Sequence, residues 1–155
     1  ENFNFTGYVR LSEYVLIKGG KRIPKGTHYS SDLDSPYLYL RVIDLSDENN
    51  VDYSSLKRID KSLYECLGRY EVNNGDVIMS IAGSIGKVLY LHDKPTYKKV
   101  ILTENCAKII VKDCGLVLPE YLSILLKSSI VQKQISLNYI QTTIPKLSLE
   151  RIGDC

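Results

Sequence analysis

The segment Val77 to Leu91 constrains this chain more than any other. VIMSI and KVLYL are both strand-length runs of β-branched and aliphatic residues, and only the five residues AGSIG separate them. Five residues cannot hold a crossover helix, so the two runs must fold back as a hairpin, with glycines supplying the turn. The same logic extends downstream. KKVILTENCAKIIV contains two more strand runs divided by a short polar break, and YLYLRVIDL (37–45) reads as another strand, dense in aromatic and β-branched residues. Strands that follow one another directly predict an α+β fold, not a doubly wound parallel sheet. We expect a twisted, mostly antiparallel, barrel-like β body with a few helices, in one domain over residues 1–155.

Helices are few. In DKSLYECLGRY, Ser62 and Glu65 stand three apart as a capping box would, with Leu63, Leu67 and Tyr70 on one face and Gly68 limiting the length. Pro119 suits a first helical turn, and Leu122, Leu125, Leu126 and Ile130 trace an apolar stripe. That stripe is expected to pack on Leu40, Val42, Val77, Ile81, Val88, Leu89, Ile109 and Val111. The opening YVRLSEYVLI is expected to give short strands, and the Gly-, Pro-, Ser- and Asp-rich KGGKRIPKGTHYSSDLDSP a long irregular loop.

Several function classes lose support on chemical grounds. Gly83, Gly86 and Lys87 resemble a phosphate loop, but G-x-x-x-x-G-K-[ST] needs wider glycine spacing, a hydroxyl where Val88 stands, and a helix afterwards. Asp34-Ser35-Pro36-Tyr37 puts Ser35 where an amino-methyltransferase motif needs proline, so it reads as a turn into a strand. No G-x-S-x-G and no spaced nuclease carboxylates occur. Cys66, Cys106, Cys114 and Cys155 form no C-x-x-C pair, which favours idle thiols in a reducing cytoplasm. No apolar run approaches the ~20 residues of a membrane helix. We therefore expect neither catalytic residues nor cofactor nor metal. Glu1 is not a start residue and Met79 is the only methionine, so a fragment of a larger chain is expected.

The net charge of +2 is modest, but it is unevenly spread. Residues 1–86 hold ten Lys/Arg against twelve Asp/Glu, and residues 87–155 hold ten against six. KGGKRIPKG contains no acid. Basic and hydroxyl-bearing loops on a β body suit a nucleic-acid duplex, because cations and small residues meet phosphates while Arg, Gln, Asn or Asp read base edges. A protein-interaction module fits the same loops.

The order of the motifs narrows this choice. Leu11-Ser12-Glu13 leads to Lys18-Gly19-Gly20 and Ile23-Pro24. Pro36-Tyr37-Leu38 then leads to Arg41-Val42-Ile43-Asp44-Leu45. Next come Asn74-Gly75-Asp76-Val77-Ile78-Met79-Ser80 with Gly83-Ser84-Ile85-Gly86-Lys87, and Leu102-Thr103-Glu104-Asn105-Cys106-Ala107. Pro119-Glu120-Tyr121-Leu122 and Thr142-Thr143-Ile144-Pro145-Lys146-Leu147-Ser148 complete the series. In this order and spacing, the chain resembles a target recognition domain of the specificity subunit of type I restriction–modification systems. It departs from that family in having no tryptophan near the start and no helical spacer.

The resemblance implies a non-catalytic reader of one half of a split double-stranded DNA target. The partners it implies are an adenine-N6 methyltransferase (modification) subunit and a restriction subunit, with no bound methyl donor or magnesium. A fused type II methyltransferase or endonuclease is an alternative parent. Expected phosphate contacts are Lys21, Arg22, Lys25, Ser84, Lys87, Thr142 and Lys146. Expected base readers are Arg41, Asp44, Tyr29 and Gln141, and Thr143 belongs to the same DNA-facing set. Gly83 and Gly86 are expected to lie against the backbone of the duplex, where a bulky side chain would exclude it.

Overall fold

The computed structural model describes residues 9–46, 49–139 and 147–153. Eight strands form two four-stranded sheets. The first, in order β1 (Val15–Gly19), β8 (Cys106–Val111), β5 (Val77–Ser80), β6 (Val88–Tyr90), is antiparallel throughout. The second runs β3 (Lys57–Arg58), β2 (Tyr37–Leu40), β7 (Lys99–Leu102), β4 (Glu71–Val72). There β2 and β7 pair in parallel, Leu40 opposite Leu102, while its other pairs are antiparallel. The expected α+β body, mostly antiparallel, is what forms.

The alternation of side chains along each strand builds three apolar layers. Leu38, Leu40, Val100 and Leu102 of the second sheet meet Ile78, Leu89 and Cys106 of the first, so the sheets pack face to face. The outer face of the first sheet, with Val77, Met79 and Ile109, is covered by helices α3 (Pro119–Lys127), α4 (Ser129–Tyr139) and α5 (Leu149–Gly153). Helix α2 (Lys61–Leu67) covers Tyr39 and Ile101 on the outer face of the second. Central strands are thus buried on both faces, and every residue of β5 is buried.

Several sequence expectations need correction. YLYLRVIDL is a strand only to Leu40. From Val42 to Asp44 it is a 3-10 turn, because the Asp44 carboxylate folds back onto the Arg41 backbone N–H (2.8 Å). Ser62 is not a cap: α2 starts after Asp60, whose backbone is extended, and no side chain caps it. The opening segment places a short helix, α1 (Leu11–Tyr14), ahead of β1.

The helical stripe also breaks. Leu122 and Leu126 are buried, but Leu125 and Ile130 are exposed, and Val131 and Ile135 are buried instead. The cause is Ser128, whose extended backbone ends α3 and whose Oγ accepts a hydrogen bond from Val131 N. This break resets the helical phase. Of the residues expected beneath the stripe, Leu40 and Leu89 are buried between the sheets instead, and Val42 is only partly buried against that layer.

Candidate nucleic-acid interface

The pairing registers decide which loops share a neighbourhood. Gly19 and Met79 flank Ala107 from opposite sides, so β1 and β5 end where β8 begins. Because β2 and β7 are parallel, both end at Leu40 and Leu102. Backbone bonds tie these ends together: Gly20 N donates to Cys106 O (3.0 Å) beside the first sheet and Thr103 N to Leu40 O (3.0 Å) beside the second, and Lys21 N crosses between them to Leu102 O (2.9 Å). Four segments therefore emerge at one end of the body, namely 20–36, 41–45, 81–87 and 103–105. Leu147 N donates to Ile81 O (2.9 Å), which brings a fifth stretch to the same place.

At this end lies a cleft of about 490 Å³. Arg22, Lys25 and Tyr29 form one wall, and Tyr39 and Arg41, from the end of β2, form another. Thr103, Glu104 and Asn105 line it from the link between β7 and β8. Asn105 joins the cleft to the hairpin tip, since its carbonyl accepts from Ile81 N (2.8 Å).

Both arginines are paired within the cleft. Arg22 Nε lies 2.6 Å from Glu104 Oε1. Arg41 holds Asp44 in a fork, Nε to Oδ2 at 2.9 Å and Nη2 to Oδ1 at 2.8 Å. Hydrogen bonding to Asp44 raises the Arg41 pKa against the opposing effect of burial. The Asp44 side chain is only 7% exposed, so its carboxylate is committed to Arg41 and does not project into the cleft as a free acceptor. Tyr39 OH donates to Lys21 O (2.9 Å), and burial above all pushes this phenol up to about 12. Tyr29 sits 6.2 Å from the Tyr39 ring, with Lys57 Nζ 5.6 Å from its own centroid.

The hairpin tip is a separate piece of engineering. Gly83 and Gly86 have φ of 75° and 88°, values that disfavour any side chain with a Cβ. Ser80 Oγ donates to Ser84 O inside the turn and accepts from Lys87 N (2.9 Å). Nothing lies within 4 Å of a Cβ built on Gly83, whereas one on Gly86 would meet Gln132 Oε1 at 2.6 Å. Gln132 Nε2 donates to Gly86 O (2.9 Å). Gly86 thus faces helix α4, and the expectation that it faces the ligand is corrected. Gly83 faces open space, and Ser84 is exposed.

The structure brings Arg22, Lys25, Tyr29 and Arg41 to one cleft and places Lys21 and Lys87 at the same end of the sheets. Among the described residues, no carboxylate pairs with Lys21, Lys25 or Lys87. Gln141, Thr142, Thr143 and Lys146 lie outside the described residues. The sequence assigns no site role to Glu104 or Tyr39, because the contacts that join Glu104 to Arg22 and Tyr39 span 82 and 65 residues. Among the described residues, no three His, Cys, Asp or Glu side chains converge as a metal site would need, and no helix is long and apolar enough to cross a membrane.

A family model described as the type I restriction modification DNA specificity domain matches residues 7–154. The chain belongs to that family. Membership places this specificity domain with the recognition part of such systems, not the catalytic part. Its fold is similar to the S subunit of a type I restriction-modification system from M. genitalium, with a TM-score of 0.61 at 16% identity over 100% of this chain. A second similar structure, solved for complex assembly and conformational transition of the type I R-M system, has a TM-score of 0.56 at 14% identity over 99% of the chain. The specificity domain spans 35% of the length of each. No curated protein sequence matches it.

Proposed function

We propose that residues 1–155 form one target recognition domain that reads one half of a split duplex target. It holds that half-site for an adenine-N6 methyltransferase subunit, and a restriction subunit joins in the full cytoplasmic complex. The observation that carries this reading is the convergence of segments 20–36, 41–45, 81–87 and 103–105 on one end of the two sheets. Arg22, Lys25, Tyr29 and Arg41 face a single cleft there. Family membership supplies the class of ligand.

The roles divide by geometry. Exposed Lys21, Lys25 and Ser84, together with Arg22, Lys87, Thr142 and Lys146, contact phosphates and fix register. Arg41, Tyr29 and Gln141 read base edges, and Thr143 belongs to the same DNA-facing set. Asp44 orients the Arg41 fork so that the remaining edge of the guanidinium faces the cleft. A well-made bidentate contact of this kind is worth ~1–3 kcal/mol of discrimination. Gly83 lets the hairpin tip approach a sugar–phosphate backbone closely.

The test is methylome sequencing of cells that carry the parent protein intact or with this domain exchanged for an unrelated one. Exchange should replace one half of the methylated motif and leave the other half untouched. A motif that survives whole would overturn the reading.

A further inference from the structure

We infer that Glu104 is a specificity-determining residue that accepts a hydrogen bond from an exocyclic amino group on a base edge, and that Arg22 shields it until a duplex arrives. The inference rests on the DNA-facing reading of the cleft and names the group read there.

A carboxylate inside a phosphate-facing cleft is repulsive unless it performs a task. Glu104 is fixed in place from one side. Its Oε2 accepts from Thr103 Oγ1 (2.9 Å) and lies 3.4 Å from Tyr39 OH. Tyr39 is buried and anchored on Lys21 O. Oε1 has a different environment, because it meets Arg22 Nε at 2.6 Å. The Arg22 side chain is 71% exposed, against 23% for Glu104. An ion pair so open to water contributes little, so Arg22 can exchange its partner for a phosphate. Glu104 stays where Thr103 holds it, packed beside Tyr39, with Oε1 presented to the ligand.

What Oε1 can read follows from its chemistry. An ionised carboxylate only accepts hydrogen bonds. In the major groove the donors are the N4 amino of cytosine and the N6 amino of adenine, whereas guanine and thymine present acceptors that would repel it. In the free protein burial pulls the Glu104 pKa up, but hydrogen bonds from Arg22 and Thr103 outweigh it. Once Arg22 moves to a phosphate, Thr103, the Glu104 backbone N–H and the base amino group are the donors that favour the ionised form. Arg41 on the neighbouring wall has the opposite preference, for the acceptors of guanine. The cleft thus carries one donor-type and one acceptor-type reader.

The experiment uses the parent protein in complex with its methyltransferase and a randomised duplex pool. Glu104→Gln, whose amide both donates and accepts, should relax preference at one position by about five- to hundredfold and leave the others intact. Arg22→Ala should weaken binding to all sequences alike and keep the same preferences. At the relaxed position, a 2-pyrimidinone in place of cytosine, or a purine in place of adenine, removes the amino group. One of these should weaken the wild-type complex by the same factor and leave Glu104→Gln unaffected, which also identifies the base. If Glu104→Gln, with an unchanged melting temperature, keeps every preference, or if Arg22→Ala relaxes that same position, the assignment fails. If instead no half-site depends on this domain, the DNA-facing reading itself fails, independently of Glu104.

Discussion

Gly20→Ala tests the junction on which the cleft depends. A Cβ at this position would lie 2.0 Å from Thr103 O, 2.4 Å from Leu102 O and 2.6 Å from the Thr103 carbonyl carbon. All three are backbone atoms, so no rotamer relieves the overlap. Carbon–oxygen contacts settle at ~3.3 Å or more, so the end of β1 must separate from the β7–β8 link by more than about 1 Å. That displacement breaks Gly20 N to Cys106 O and Lys21 N to Leu102 O. At ~1 kcal/mol each, with ~0.5 kcal/mol returned because alanine narrows the unfolded ensemble, the net loss is about 1.5 kcal/mol. For a domain of this size the melting temperature should fall by ~3–6 °C. Gly68→Ala is the control, since it makes the same chemical change in a right-handed helical conformation with nothing within 4 Å. It should be neutral or slightly stabilising. Calorimetry and urea titration of both variants decide the matter. If Gly20→Ala melts with the wild type, the close approach between β1 and Thr103 is not what holds the two sheets together at this end.

Four further outcomes are expected. Lys87→Ala should weaken binding to every duplex equally and reduce the slope of log K against log salt by about one, and an unchanged slope would remove Lys87 from the phosphate contacts. Arg41→Ala and Asp44→Ala should each relax preference at the same base pair, and the double variant should cost no more than either alone. Additive losses in that cycle would mean that the two side chains act independently. Acidification from about pH 6 to about pH 3.5 should destabilise the wild type more than Glu104→Gln. The fold keeps Glu104 ionised below its ordinary 4.5, so its contribution is complete above that value and drains away as pH falls, which paired urea midpoints would show. Finally, burial pushes the Cys106 thiol up to about 12, with the Glu104 and Asp44 charges adding to the effect. Iodoacetamide at about pH 8 should label exposed Cys66 and Cys114 and spare Cys106 in the native protein, as peptide mass mapping would reveal.

The parts of the fold legible in the sequence are those governed by near neighbours. The hairpin from β5 to β6, the strands of KKVILTENCAKIIV and the start of α3 at Pro119 all follow from turn chemistry and residue type. Two sorts of feature were not legible. One comes from strands buried on both faces: VIMS lacks the alternation that would have revealed sheets stacked between helices. The other is long-range pairing. Nothing near Tyr37 announces that it will lie opposite Lys99 in parallel, yet that register brings the Arg41 turn beside Glu104. Local polar chemistry also misled. Arg41 and Asp44 look like consecutive strand residues, but their mutual hydrogen bonds turn the chain out of the sheet at Leu40. Gly83 and Gly86, prominent in the sequence, serve a turn, whereas among the described glycines the tightest approach falls at Gly20.

The charges in the cleft bear on how such a domain would discriminate. A binder that relied on phosphates alone would show a basic strip with its cations free. Here the net charge is +2, and both arginines of the cleft are matched with carboxylates, while Lys21, Lys25 and Lys87 pair with no carboxylate among the described residues. Any duplex can draw on those lysines and, by exchange, on Arg22, whereas breaking the covered Arg41–Asp44 pair returns little. The two pairs are not equivalent. Asp44 is almost fully covered and keeps Arg41 in a fork, so that pair would be carried intact to a duplex. The other pair is held by an arginine exposed to water, and exchange with a phosphate would convert Glu104 from a partner into a reader. Specificity then arises as a difference between sequences and not as raw attraction.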